Sequence, residues 1–419
     1  MARQIQFFVA VVFFHCVGSL LFAGVPELLQ QTSRQRAAEL TAGPWIDVIE
    51  REIPPLKNDR GDRMPMIMWH GVGFQPLEVS EIEVLRARGL CQHLQLSESM
   101  IPAAKALQQA GLPVILMEGR TDSWPYSLGK DWMHQFDASY QQPWFGKEDA
   151  SQWHGACPHR IDGWKVLATQ TKQKLQKFRE AGVRIDAVLV DYEGDPYPWS
   201  HLFDQLRHCK RCRQELPAEI LHEKAAWRDY SWKQYVALYD EHFAKPVREV
   251  FPECLVTNWH VVFSSHSDPV RYFVRNINLP ELKPAHFTAT NPIAYASDAV
   301  WHQLWDPSTA VTQASVDTFY REQIIQQVAA DKRNREAGHA GDVRSIPWVA
   351  RVCRIADSDQ PAVPMMSRSR YRDALSELWE MDVHSMQVFN PMHEKFEELA
   401  LIELQDAVAA YDKMLQKRR

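Results

Sequence analysis

Short apolar runs alternate with longer amphipathic segments along most of the chain, from Arg63 onward. Runs of about four to eight apolar residues bounded by turn signals are typical of strands buried on both faces, as in parallel sheets. Eight such runs predict eight strands, at residues 64–69, 93–96, 113–117, 187–190, 255–258, 287–290, 346–350 and 386–389.

The segments between these runs carry apolar residues at helical spacing, as in SEIEVLRARGL, SMIPAAKALQQAG and WKVLATQTKQKLQKFREAG. Several of them end in Ala-Gly or Arg-Gly just before the next run, which predicts a left-handed glycine at the helix end. Repeated strand-then-helix units predict an α/β fold, a single (β/α)₈ TIM barrel over residues 63–419. The alternative is a doubly wound open sheet, but no G-x-G-x-x-G turn follows the first run.

The first residues read MARQIQFFVAVVFFHCVGSLLFAG, a basic start followed by an apolar stretch and small residues. This pattern predicts a secretory signal peptide over residues 1–24, and therefore a secreted or periplasmic protein with no stable membrane insertion after cleavage. An uncleaved membrane anchor is the alternative, since the stretch approaches the spanning length of about 20 residues. Residues 25–62 are interpreted as a lead-in segment that contains a helix.

The composition excludes one class of partner and favours another. The formal net charge is −6 and the basic residues are scattered, so no nucleic-acid partner is expected. The chain has 15 Trp, and the connection after the third predicted strand, residues 119–163, is unusually aromatic. Flat aromatic rings on a barrel rim suit the C–H faces of sugars, so we expect a carbohydrate substrate; a protein partner is the alternative. The oligomeric state stays open.

The fourth predicted strand continues into acidic residues, in the stretch AVLVDYEGDPYPW. Strand side chains alternate between faces, so Leu189, Asp191 and Glu193 are expected on one face. Two carboxyl groups so close in a cleft do not both ionise easily, which favours one of them as a general acid. We therefore assign Asp191 and Glu193 as the candidate catalytic pair.

Active sites of such barrels lie at the carboxyl ends of the strands, where polar residues follow several of the apolar runs. With Trp124 in the aromatic connection, and Tyr295 after the sixth strand, these residues form the candidate substrate-binding set. The set comprises Trp69, His70, Glu118, Arg120, Trp124, Asn258, His260, Asn291, Tyr295, Arg351 and Asn390.

Most glycosidases need a second carboxyl group across the scissile bond. The fifth to eighth predicted strands end without an acid, and Glu118 on the third strand is the remaining candidate. Two mechanisms therefore stay open: a two-carboxylate reaction that uses Glu118, and a reaction in which the substrate's own 2-acetamido group attacks the anomeric carbon.

An Asp-x-Glu pair on the fourth strand, with Tyr192 at x and Tyr197-Pro198-Trp199 after it, resembles the hyaluronidase and chitinase-like glycoside hydrolases. The two further Asp residues of the chitinase pattern are replaced by Ala187 and Leu189. The resemblance implies retaining, substrate-assisted hydrolysis of glycans that contain N-acetylhexosamine. It implies Glu193 as acid/base, Asp191 as stabiliser of the acetamido group, and Tyr295 as a hydroxyl aimed at the acetamido carbonyl.

Six cysteines follow residue 24, and their pairing stays open: Cys91, Cys157, Cys209, Cys212, Cys254 and Cys353. HCKRC at residues 208–212 is compatible with zinc, with Cys157 and His159 completing a set, although in an exported chain a disulfide is the favoured interpretation. A catalytic metal held by Asp191, Glu193, His70 and His260 is a weaker alternative. The expectation is a hydrolase with no cofactor and no metal; a non-catalytic barrel that binds glycan or protein is the remaining alternative.

Overall fold

The computed structural model describes the strands, most of the helices and parts of the connections. The described residues are 42–69, 76–118, 132, 134–136, 157–190, 207–223, 226, 230, 234, 237–261, 286–293, 324–325, 328–329, 332, 336, 344–349, 351, 366–389 and 397–418. The predicted signal peptide and the first part of the lead-in segment, residues 25–41, lie outside them.

The strands form one sheet in which every neighbouring pair is parallel, so the fold is α/β as predicted. All eight predicted runs contain or overlap a strand, which confirms the pattern. The strands are β1 Met66–Trp69, β2 Leu90–Gln92, β3 Leu94–Gln95, β4 Ile115–Glu118, β5 Ala187–Val190, β6 Leu255–Val261, β7 Ala289–Ile293, β8 Arg344–Ser345, β9 Trp348–Val349 and β10 Gln387–Phe389.

The order of the sheet is β2-β1-β10-β9-β7-β6-β5-β4-β3, with β8 paired to β7. The two strands at the ends of this order, β2 and β3, are separated in the chain by His93 alone. The segment 90–95 thus pairs through its first half with β1 and through its second half with β4.

The register divides the strand residues into two rows, one on each face of the sheet. Met117 pairs with Leu189, and Leu189 pairs with Thr257, so these three residues share a face. Their chain neighbours Val188 and Val256 pair with each other on the opposite face. Both rows of β5 are buried, as expected for a parallel strand covered on both sides.

Helices follow most of the strands and cover the sheet. The α-helices are α1 Ala42–Glu52, α2 Val79–Ala87, α3 Ile101–Gln109, α4 Ile161–Glu180, α5 Lys210–Glu215, α6 Ala218–His222, α7 Lys245–Val250, α8 Arg368–Glu380 and α9 Glu397–Lys417. A 3₁₀ turn, Glu98–Met100, precedes α3, and a π-helical turn, Asp240–Ala244, precedes α7. None of the described helices has the length and apolar character needed to cross a bilayer.

Three helices end at a left-handed glycine directly before a strand region, as the sequence predicts. Gly89 follows α2, Gly111 follows α3 and Gly182 follows α4, with φ values of 64°, 72° and 75°. Glycine adopts this conformation without the steric cost that a Cβ brings. The C-terminal ends of α2, α3 and α4 are therefore set by the local sequence.

The C-terminal helix α9 fixes the segment that leads into β1. Asp412 Oδ1 accepts hydrogen bonds from the backbone nitrogens of Lys57 and Asn58, at 3.0 and 2.9 Å. The hydroxyl of Tyr411 donates to the carbonyl of Met64 at 3.3 Å, and the Tyr411 ring is buried. Residues far apart in the sequence thus hold the first strand in place.

Alanine substitutions at two glycines, Gly89 and Gly111, test how tightly α9 packs at the end of α2. A Cβ at Gly89 would lie 2.7 Å from the Tyr411 ring and 2.8 Å from Leu56, whereas a Cβ at Gly111 meets nothing within 4 Å. Both substitutions carry the left-handed cost of about 1–2 kcal/mol, and overpacking adds about 1–3 kcal/mol at Gly89 alone. We expect Gly89→Ala to lower the free energy of unfolding in urea clearly more than Gly111→Ala. Equal losses would contradict the close packing of Tyr411.

Candidate functional site

The strand that leads to the candidate catalytic pair is an interior strand of the sheet. β5 is buried along its whole length and pairs with β4 on one side and β6 on the other. It ends at Val190, the residue before Asp191. Asp191 and Glu193 themselves lie outside the described residues, as do His70, Arg120, Trp124, Tyr295 and Asn390.

Three further candidates lie on strands whose backbone alone is described. Trp69 ends β1 and pairs with Phe389 of β10. Asn258 and His260 lie on β6, where Asn258 pairs with Val190 at the end of β5. Trp69 is thus the last residue of β1, Asn258 is the middle residue of β6, and His260 lies one residue before its end.

Glu118 lies on the face of the sheet that points to α4. Its carboxylate accepts a hydrogen bond from Lys174 Nζ of α4 at 3.1 Å, and its side chain is 11% exposed. In the register Glu118 pairs with Val190, whereas Met117 pairs with Leu189. Because strand side chains alternate between faces, Asp191 is predicted to lie on the same face as Leu189. The Glu118 carboxylate lies on the opposite face.

Asn291 holds strands together inside the sheet. Its side chain is fully buried, and its Nδ2 donates to the carbonyl of Ile346 and, at 3.2 Å, to Oε1 of Gln387. Gln387 belongs to β10, which β9 separates from β7, so this bond spans two steps of the sheet. Asn291 and Gln387 consequently lie on one face, and Asn291 pairs with Trp259 in the next strand.

Arg351 links the end of β9 to helices that cover the sheet. Its backbone nitrogen donates to the Glu403 carboxylate of α9, and its Nε donates to the Met366 carbonyl at 3.0 Å. Glu403 is fully buried. Sequence reasoning missed this acid, although a single glutamate within the apolar positions of LALIELQDAVAAY is the signal that was available.

A second group of chemically active side chains lies on the connection between β4 and α4 and at the start of α5. His134, Cys157, Cys209 and Cys212 are all buried, and their ligand atoms lie within 4.8 Å of one another. We call these four residues the Cys-His cluster. Cys157, Cys209 and Cys212 belong to the zinc-compatible set named from the sequence, but the fourth member is His134, because His159 stacks on Tyr230 instead, at 6.4 Å between ring centroids.

Backbone hydrogen bonds bring the parts of the Cys-His cluster together. Phe136 and Cys209 form an isolated antiparallel bridge, and the nitrogen of Lys210 donates to the carbonyl of Gln135 at 2.8 Å. The nitrogen of Cys157 donates to the carbonyl of Trp132 at 2.9 Å. These pairings join the connection between β4 and α4 to the segment at the start of α5, and no local spacing in the sequence announces them.

The electrostatics of the Cys-His cluster favour an ion pair between an imidazolium and a thiolate. Burial acts to lower the pKa of His134, but hydrogen bonds to Cys157 and Cys209 outweigh it and raise this pKa to about 10. Hydrogen bonds from Cys157 and Cys212 hold the pKa of Cys209 far below its ordinary value. The packing thus stabilises thiolate at Cys209 next to a cationic group, and three sulfurs with one imidazole form a donor set that suits a soft divalent metal.

Comparisons with known proteins yield distant structural likenesses. No protein-family model and no curated protein matches the chain. A chitinase from Chromobacterium violaceum is 8% identical, with 85% of this chain and 100% of that chain covered and a TM-score of 0.39. A glycoside hydrolase family 5 enzyme from Prevotella bryantii, solved with a xyloglucan tetradecasaccharide, is 10% identical, with 85% and 99% covered and a TM-score of 0.39. An E. coli 3-keto-D-glucoside 4-epimerase is 12% identical, with 84% and 98% covered and a TM-score of 0.36.

The hydrogen bonds of Asn291 give a testable framework role. Asn291→Ala removes the donor to Ile346 and Gln387 in a buried place, so we expect a loss of about 2–4 kcal/mol in the free energy of unfolding. Gln405→Ala removes an exposed donor to the Glu52 carbonyl and serves as the control, with an expected loss below about 1 kcal/mol. Urea unfolding of both variants measures the difference. Similar losses would argue against a framework role for Asn291.

Proposed function

We propose that the sheet closes into a single (β/α)₈ barrel over residues 63–419. The support is the segment 90–95, which pairs with β1 through β2 and with β4 through β3, so that the strand order returns to its start. In such a barrel β5 is the fourth strand, since β2 and β3 count as one. The carboxyl ends of the strands then surround a common mouth.

Within this barrel, the chain acts as a glycoside hydrolase on a polysaccharide or glycan, with Glu193 and Asp191 as the reactive pair. The observation that carries the proposal is the position of β5, a fully buried central strand that ends directly before Asp191. A strand held from both sides positions the residues that follow it with little freedom. Chemistry of this kind depends on such positioning.

The proposed reaction is retaining and substrate-assisted, on sugars that carry a 2-acetamido group. The acetamido carbonyl oxygen attacks the anomeric carbon, the bond to the leaving oxygen breaks, and Glu193 donates its proton to that oxygen. Asp191 orients the acetamido group and stabilises the positive oxazolinium ion. Water then attacks the anomeric carbon, Glu193 takes up the proton, and the two inversions together retain the configuration.

The surroundings of Glu118 favour this mechanism over a two-carboxylate reaction. A second catalytic carboxyl group must face the same space as the first, at about 5–10 Å. Glu118 instead accepts from Lys174 on the helix side of the sheet, whereas Asp191 follows the row of Leu189 by alternation. The substrate's acetamido group supplies the nucleophile that the other strand ends lack.

The remaining parts of the proposal follow from the sequence. The predicted signal peptide supports the proposal that the enzyme acts outside the cytoplasm, where polymeric glycans occur. The aromatic connection after β4 is proposed to contact sugar faces, with Trp124 among its residues. A non-catalytic barrel that binds glycan through the same connection is the second candidate, and it predicts binding without turnover.

Single substitutions of the acids separate the two mechanisms. Glu193→Gln cannot donate or accept the proton, so we expect kcat on a glycan substrate to fall by about 10²- to 10⁴-fold with little change in binding. Glu118→Gln keeps kcat close to that of the unmodified enzyme if the acetamido group is the nucleophile. A comparable collapse of kcat in Glu118→Gln would move the nucleophile to Glu118.

The substrate itself provides a second test. We expect hydrolysis of aryl glycosides and polysaccharides that carry 2-acetamido sugars, and none of matched substrates with a 2-hydroxyl group, because the latter lack the internal nucleophile. A thiazoline analogue of the oxazolinium ion should inhibit competitively, since it resembles the intermediate. Hydrolysis of 2-hydroxy substrates at similar kcat/KM would refute acetamido participation, and binding of glycans without any turnover would favour the non-catalytic barrel.

A further inference from the structure

The Cys-His cluster has the donors and the geometry of a metal site. Its four ligand atoms converge to within 4.8 Å, and Cys212 Sγ lies 3.6 Å from His134 Nδ1. Tetrahedral zinc with bonds of about 2.3 Å to sulfur and about 2.0 Å to nitrogen separates two such ligands by about 3.6 Å. The cluster is therefore close to the spacing that zinc requires.

The number and type of donors distinguish the kind of site. Three cysteines and one histidine give four protein ligands, which is a closed, structural arrangement, whereas catalytic zinc keeps one position for water or substrate. Soft sulfur ligands disfavour magnesium and calcium, which take oxygen. Lys210 and Arg211 lie between two of the ligands in the sequence, where positive charge favours a site whose three thiolates exceed the charge of one divalent ion.

The packing around the cluster explains why a metal is needed there. Among the described residues, Cys157, Cys209, Cys212 and Leu216 form a small buried group of their own, separate from the main core, with Phe136 and Tyr230 against it. Three of these four buried residues are cysteines, so little apolar surface is available to stabilise the group. Metal coordination is the usual substitute for a core in such small units.

A disulfide accounts for less of the geometry than a metal does. A bond between Cys209 and Cys212 would use two of the four donors and would give no reason for His134 and Cys157 to converge on them. Cys157, Cys209 and Cys212 form no disulfide in the structure. The histidine is the informative member, because a ring nitrogen at ligand distance contributes to metal binding and not to a disulfide.

We propose that His134, Cys157, Cys209 and Cys212 bind one structural Zn²⁺ ion that ties the connection between β4 and α4 to the segment at the start of α5. Both segments belong to the part of the chain that follows β4 and β5. The ion thus joins a connection that follows β4 to a segment that follows β5. The proposal is independent of the hydrolase assignment, since it concerns metal content and local order.

Metal content tests the proposal directly. The full-length chain, purified without added metal or chelator, should contain about one zinc per chain by inductively coupled plasma mass spectrometry. Replacement by Co²⁺ should produce thiolate charge-transfer absorption and intense tetrahedral d–d bands. This spectrum is recorded on the unsubstituted chain, so it remains decisive even if a ligand variant fails to fold.

Matched variants identify the ligands. His134→Ala and Cys209→Ser should lose the bound metal, whereas His159→Ala and Cys254→Ala should retain it, because His159 stacks on Tyr230 and Cys254 is buried in the main core. Chelation of the unsubstituted chain should expose the segments around residues 134–157 and 207–216 to proteolysis while the helix content is largely kept. Zinc retained in His134→Ala, or a metal-free chain with a Cys209–Cys212 disulfide, would overturn the proposal.

Discussion

The parallel register of the strands is the constraint on which the rest of this structure depends. Paired residues lie on the same face of the sheet. Met117, Leu189 and Thr257 therefore all lie on one face. A shift of one residue would exchange the two faces of every strand concerned. The helix-facing position of Glu118 and the predicted position of Asp191 on the other face are both consequences of this register.

Much of the fold is legible in the sequence because its signals are local. Apolar runs of strand length and helices that end at glycine depend on neighbouring residues, and Gly89, Gly111 and Gly182 adopt the predicted left-handed conformation. The residues that follow each predicted strand can be identified from the sequence for the same reason. Each of the eight predicted runs therefore contains or overlaps a strand, whereas the short strands β2 and β8 lie outside the predicted runs.

The partners of the polar side chains could not be predicted in the same way, because they come from distant parts of the chain. Glu118 meets Lys174 only because α4 packs on that face, and Arg351 meets Glu403 only because α9 returns to the end of β9. His134 joins the three cysteines through backbone pairing between two connections. Such contacts form only in the assembled fold. The sequence shows which side chains can donate, accept or bind a metal, but it does not show their partners.

The attachment of α9 to the segment before β1 has a consequence for the order of events during synthesis. Asp412 binds Lys57 and Asn58, and Tyr411 binds Met64, so the first strand region depends on partners far along the chain; Asp412 is synthesised 355 residues after Lys57. Until then the early strands lack these bonds, and the nascent chain stays loosely structured. Early strands whose partners are synthesised so much later remain pliable while the intervening chain is being made.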